Sequence, residues 1–122
     1  RKIAVFGNVG EGDKKERLIL GKVISEYFDL TIVTTDDPKR EDPWLGINDF
    51  LEGANPKRRK SNCIVIPSRK EAIDKAIELA EPSDFVIILG RGDEKELNFK
   101  EGLVELDDRE CARESLKKRG YL

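Results

Sequence analysis

A chain of 122 residues fits one domain of common size, with material for a single core and not for two. Its 23 basic and 25 acidic residues nearly cancel, which argues against a nucleic-acid-binding surface. No apolar run approaches the roughly 18–20 residues of a membrane span, and no signal-peptide pattern opens the chain.

The absence of histidine excludes zinc sites of the usual Cys/His kind. Cys63 and Cys111 lie far apart in apolar patterns, so free thiols in a reducing cytoplasm are expected rather than a disulfide. There is no methionine, and the chain opens as "RKIAVF", straight into a strand. It therefore reads as a domain, residues 1–122, cut from a longer protein.

"KIAVF" (Lys2–Phe6) is a short apolar run ending at Gly7, a strand by length and β-branching. From Asp13 to Phe28, Leu20, Val23, Ile24 and Tyr27 recur at helical spacing, so a helix follows. "LTIVT" (Leu30–Thr34) is the second strand. Asp42-Pro43 reads as an N-cap with proline at the first helical position, and Ile47, Phe50 and Leu51 supply that helix's apolar face. "KRRK" (Lys57–Lys60) is expected to be a solvated loop, since no aromatic residue interleaves it.

"NCIVI" (Asn62–Ile66) is the third strand, and "SRKE" (Ser68–Glu71) is a capping box opening a helix with Ala72, Ile73, Ala76, Ile77 and Ala80 inward. "DFVIILG" (Asp84–Gly90) is the most apolar segment, expected as a central strand buried on both faces. A short hairpin, "NFKEGLVEL", and a last helix from about Asp107 to Lys118 follow. Strands alternating with helices predict an α/β domain, Rossmann-like, with a mostly parallel sheet flanked by helices on both faces and a short hairpin near the C-terminus.

In open α/β sheets ligands bind outside the carboxyl ends of the strands. The unusual loops of this chain fall there: "GNVGEGDKKER" after the first strand, "TDDPKREDP" after the second and "GRGDE" after the fourth. Singly they are ambiguous. Gly7, Gly10 and Gly12 are spaced G-x-x-G-x-G rather than G-x-G-x-x-G, and no G-x-x-x-x-G-K-[ST] motif occurs to cradle a triphosphate. Asp36 and Asp37 could meet a cation or begin an Asx-turn before Pro38. No serine or cysteine has a histidine base, so triad chemistry is excluded.

Together, in order, these loops resemble the C-terminal domain of the Mur ligases, and within that family the third-residue-adding UDP-N-acetylmuramoyl-tripeptide synthetases. The resemblance runs over nearly the whole chain and rests on "DDPKREDP", on the stretch from "RKEAI" to "GRGDE", and on "DRECARESL". It implies a three-domain cytoplasmic ligase of peptidoglycan and cell-wall synthesis, a process tied to cell division. The missing N-terminal and central domains would hold the UDP-sugar peptide and most of the ATP and magnesium. This domain would close over ATP and receive the incoming amino acid, with no catalytic residue and no metal ligand of its own.

On that resemblance Asp36, Asp37, Pro38 and Lys39 match an Asp-Asn-Pro-Arg motif. Gly90, Gly92 and Glu94 match a Gly-Lys-Gly-His-Glu motif in which Asp93 replaces the histidine. Asp36, Asp37, Lys39, Gly90 and Glu94 are thereby the implied substrate-binding residues, Glu94 meeting a substrate ammonium. Gly10, Asp13 and Arg17 match the family's first loop, which makes Asp13 and Arg17 the implied nucleotide-side residues. Gly12 stands where a carboxylate-gripping arginine is expected, and Glu16 where a lysine is expected. With three acidic groups near one pocket, lysine is expected as the added amino acid in preference to diaminopimelate. Two other classes remain open at this stage: a free-standing Rossmann-like binding module, and a degenerate interaction domain.

Overall fold

The computed structural model describes residues 1–122. Four parallel strands, β1 (Lys2–Phe6), β2 (Leu30–Val33), β3 (Cys63–Val65) and β4 (Phe85–Ile88), form one sheet in the order β3-β2-β1-β4. The connections are α1 (Lys14–Tyr27), then α2 (Pro43–Gly53) with α3 (Pro56–Asn62), then α4 (Arg69–Leu79). An antiparallel hairpin, β5 (Glu96–Phe99) and β6 (Gly102–Glu105), and α5 (Asp108–Lys118) complete the chain.

Alternation along the strands splits the core into two halves. Ile3, Val5 and Ile32 face Ala72, Ile73, Ala76 and Ile77 of α4. Ala4, Phe6 and Val33 face Ile24 of α1 and Ile47 and Phe50 of α2 on the opposite side. The chain passes β1-α1-β2-α2-α3-β3 in one direction across the sheet and returns through α4 to β4. Helices on opposite faces for opposite directions are what a constant right-handed crossover requires.

The helix starts follow their sequence signals. Asp42 caps α2, its carboxylate accepting the Trp44 N–H, and Pro43 occupies the first turn. Ser68 caps α4 by accepting the Glu71 N–H at 3.3 Å, the serine half of the expected capping box.

Two expectations are corrected, and one helix face emerges that the sequence reading did not assign. β4 lies at the sheet edge, not at its centre: Phe85 is 69% and Ile87 38% exposed, while Val86 and Ile88 are half-buried. An apolar run signals the chemistry of its neighbours and carries no information about which strands those are. "KRRK" lies within α3, started by Asn55, whose side chain accepts the Lys57 N–H, and by Pro56, although its charges remain largely solvated. The inner face of α1 is Arg17, Gly21, Ile24 and Ser25, whereas Leu20, Val23 and Tyr27 are exposed.

The inner face of α1 has a steric cause. A Cβ at Gly21 would lie 2.3 Å from the Phe50 carbonyl oxygen, and one at Gly53 would lie 2.0 Å from that of Leu18. The two helices therefore meet backbone to backbone, and glycine, not an apolar side chain, faces the partner. Gly53→Ala should force α1 and α2 apart and cost about 1–3 kcal/mol, the usual range for overpacking, read as a lower urea midpoint at constant m-value.

Candidate functional site

The carboxyl edge of the sheet is assembled by backbone contacts between loops. Val9 forms a parallel bridge with Asp36, and the Gly10 N–H donates to the Asp37 carbonyl at 2.8 Å. A Cβ at Gly10 would sit 1.9 Å from the Pro38 carbonyl oxygen, so only glycine lets the first and second loops join this closely. The second loop then docks on the hairpin. The Lys39 N–H donates to the Asn98 carbonyl, and the Asn98 N–H donates to the Asp37 carboxylate at 2.9 Å. Asp37 and Lys39 both adopt positive φ, 26° and 59°, to make this turn.

Beneath these loops lies a buried ionic network. The Arg69 side chain, wholly buried at the start of α4, donates to both carboxylate oxygens of Asp108 at the start of α5, at 2.9 and 2.8 Å. Its remaining N–H groups donate to the carbonyls of Thr35, after β2, and Leu89, after β4. Arg91, also wholly buried, donates to the carbonyls of Glu94, Glu96 and Leu106 and lies 3.5 Å from Asp108. Bidentate arginine geometry satisfies charges that would be prohibitively costly alone.

Asp36 sits above this floor and is only 2% exposed. Its carboxylate is faced by charges but receives no hydrogen bond. Burial pushes its pKa up to about 6, helped by Asp37 and Glu94 and opposed by Arg69 and Arg91. Gly90, at φ +101°, is the neighbour on the β4 side. A Cβ there would lie 2.9 Å from Asp36 Oδ2, so glycine keeps that oxygen approachable. Glu94 is exposed at the rim, its carboxylate 3.8 Å from Arg91. Asp36, Gly90 and Glu94 are thus brought to one edge with Asp37 and Lys39.

Apart from Lys39, the other residues singled out from sequence have internal partners. Asp37 lies 3.6 Å from the Arg91 guanidinium and supports the hairpin, so its charge is compensated. Lys39 is half-buried, and its ammonium makes no ion pair. Asp13 caps α1 by accepting the Lys15 N–H. Arg17 is 5% exposed and bound to Asp49, Glu41 and the Val9 carbonyl, and so braces the first loop from below. Arg40, next to Lys39, pairs with Glu11 on the surface. The expected site lacked Arg69, Arg91 and Asp108; the arginine directly behind the Ser68 cap, the arginine inside "GRGDE" and the paired aspartates opening the last helix were their only traces.

The residues present do not form a triphosphate cradle. The Gly10 amide, which a phosphate loop would offer, is spent on Asp37, and no clustered carboxylates are placed to hold a metal ion.

This arrangement is a parallel α/β domain with an acidic, loop-built edge, and the comparisons with known proteins agree with that fold. The Mur ligase, glutamate ligase domain family matches residues 1–92, so the chain belongs to the Mur ligase family. It is 39% identical, over 96% of its length, to the UDP-N-acetylmuramoyl-L-alanyl-D-glutamate–2,6-diaminopimelate ligase of Clostridium botulinum. It is 38% identical, over 98% of its length, to the UDP-N-acetylmuramyl-tripeptide synthetase of Roseiflexus sp.. A solved structure of a UDP-N-acetylmuramoyl-L-alanyl-D-glutamate–2,6-diaminopimelate ligase superposes on the entire chain with a TM-score of 0.89 at 26% identity. The chain spans 23% and 24% of those two relatives' lengths and 25% of that solved chain.

Asp36 generates a pH prediction. Its folded pKa, about 6, lies above the roughly 3.9 of an unfolded aspartate. Its contribution to stability is therefore full below about pH 4 and is lost as pH rises through 6. Asp36→Asn should stabilise the domain at pH 7.5 by up to about 3 kcal/mol and change little at pH 4. Urea unfolding of both proteins at the two pH values measures this; an equal effect at both would assign the gain to packing.

Proposed function

We propose that this chain is the C-terminal domain of a longer cytoplasmic ATP-dependent ligase that adds an amino acid to a UDP-N-acetylmuramoyl-peptide in cell-wall synthesis. The observation that carries the reading is Asp36: a buried carboxylate without a hydrogen-bond donor, left approachable by Gly90, with Glu94 at the rim. At neutral pH it is mostly ionised, and such a group is best satisfied by an incoming cation. A substrate ammonium placed between Asp36 and Glu94 supplies both charge and donors. The unpaired ammonium of Lys39, on the same edge, suits the carboxylate of that substrate.

The domain's contribution is positioning. Holding the amino acid on an edge locked by backbone hydrogen bonds lowers the entropic barrier to attack on the activated carboxyl group. ATP and magnesium, which supply that activation when bound, would be held by the other domains of the longer chain, together with the UDP-sugar peptide. Asp13 and Arg17 would shape the first loop on the nucleotide side without touching the nucleotide themselves.

Lysine and diaminopimelate both carry a second ammonium, and relatives of this chain are named as diaminopimelate ligases and as tripeptide synthetases. The Asp37 charge that favoured lysine is compensated by Arg91. The substrate class is therefore a diamino acid, and competition between L-lysine and meso-diaminopimelate in the full-length enzyme assigns the member.

In that enzyme Glu94→Gln and Lys39→Ala should each raise the KM for the amino acid roughly ten- to a hundredfold, the worth of a charge-assisted contact, with the KM for ATP little changed. Unchanged amino-acid KM values in both variants would move the site elsewhere. The purified 122-residue domain alone should show no ATP turnover; measurable hydrolysis would overturn this division of labour.

A further inference from the structure

Arg91 stands in the middle of an exposed acidic turn, yet its own side chain is wholly buried. Gly90 and Gly92 flank it at φ +101° and +55°, and Glu94, three residues on, stays at the rim. The Arg91 guanidinium donates to the carbonyls of Glu94, Glu96 and Leu106 at 3.3, 3.0 and 2.6 Å, so it grips the main chain at Glu94 and beyond it. Three carboxylates face it without a hydrogen bond: Asp108 at 3.5 Å, Asp37 at 3.6 Å and Glu94 at 3.8 Å. Its Nε–H has no acceptor at all. The donors of Arg91 are thus committed to main chain, while its charge is shared among several acids. Arg69 differs, being locked to Asp108 by two short bonds. A lysine ammonium, which is a point charge, could not span three carbonyls arranged around a planar fork.

We infer that Arg91 is a positioning residue of the amino-acid site: it fixes the turn that carries Glu94 and, by screening Asp37 and Glu94, leaves the Asp36 carboxylate to the substrate ammonium. The charged groups around Asp36 are Arg69 from the start of α4, Arg91 and Glu94 from the turn after β4, and Asp37 from its own loop. Val9, which bridges Asp36 from the first loop, brings no charge. Burial opposes ionisation of Asp36 most strongly; Arg69 and then Arg91 favour it, and Asp37 and Glu94 oppose it. The contribution of Arg69 is set by the fold, since the same side chain ties the ends of β2 and β4 together. Arg91 acts twice, because it lies beside both opposing acids. Removing it withdraws a favourable charge and unmasks two unfavourable ones.

This inference rests on the ammonium reading of the edge given above, and two readouts keep them apart. In the full-length enzyme at saturating ATP, kcat/KM for the amino acid should fall as pH drops through about 6, where Asp36 takes up a proton. Arg91→Gln should move that midpoint to about 7 or above, a nearby charge being worth roughly 1–3 pH units to a carboxylate, and so cost roughly fivefold more at pH 6 than at pH 8.5. Arg91→Lys, which keeps the charge and loses the fork, should leave the midpoint in place and raise the amino-acid KM alike at every pH. The second readout is the carboxyl 13C titration of Asp36 in the 122-residue chain, which needs no substrate and should move in the same sense with Arg91→Gln. An unmoved Asp36 titration would overturn the inference and leave the site to the Glu94→Gln and Lys39→Ala tests. A moved titration with an unmoved kinetic midpoint would overturn both, because Asp36 would be tuned without meeting the substrate. Should Arg91→Gln not fold, Arg91→Lys decides: an Asp36 midpoint that rises despite the retained charge overturns the inference, and one that holds while the amino-acid KM rises supports it.

Discussion

The buried pair between Arg69 and Asp108 joins parts of the chain that sheet pairing alone does not hold. Each residue opens a helix, and the remaining donors of Arg69 reach the carbonyls that end β2 and β4. Parallel strands bring their carboxyl ends to one edge, but they leave the loops beyond those ends without partners. One guanidinium fills that gap by binding two loop carbonyls and a carboxylate at once. Removing either partner would leave a charge buried without compensation, which typically costs 3–5 kcal/mol, a large part of the stability of a domain this size.

Arg91 extends the same solution outward. Its donors are directed at three backbone carbonyls of the segment carrying the hairpin, while its charge offsets Asp37 and Asp108. The edge consequently holds two kinds of acid. Asp37 and Asp108 are neutralised and structural. Asp36 is buried among the same arginines but receives no hydrogen bond, and burial wins over attraction in setting its pKa. Neighbouring aspartates in one loop thus take different roles because the carboxylate of Asp37 accepts a hydrogen bond from the fold and that of Asp36 does not.

The alternation of strands and helices, the Asp42 and Ser68 caps and the inward face of α4 were legible in the sequence because each depends on residues close along the chain. The three loops at the carboxyl edge were legible for the same reason, once the sheet was known to be parallel. What escaped had long-range causes. The position of β4 depends on strand order, which no local pattern encodes. The glycine contact between α1 and α2 was not legible either, since Leu20, Val23 and Tyr27 give helical spacing whether or not anything covers them. Arg69 and Asp108 stand 39 residues apart, and each alone resembles an ordinary surface charge.

The hairpin is anchored in an uncommon way. Arg91 and Asp37 grip its main chain, and only Leu97 among the residues of its two strands is fully buried, all four residues of β6 being exposed. A main-chain grip is indifferent to side-chain identity. The outer surface of the hairpin is therefore free to change residue by residue without disturbing Lys39, whose own amide is held by the Asn98 carbonyl. The fold has in effect placed a rewritable surface next to a fixed edge, so whatever meets that surface can be altered independently of the loops that build the edge.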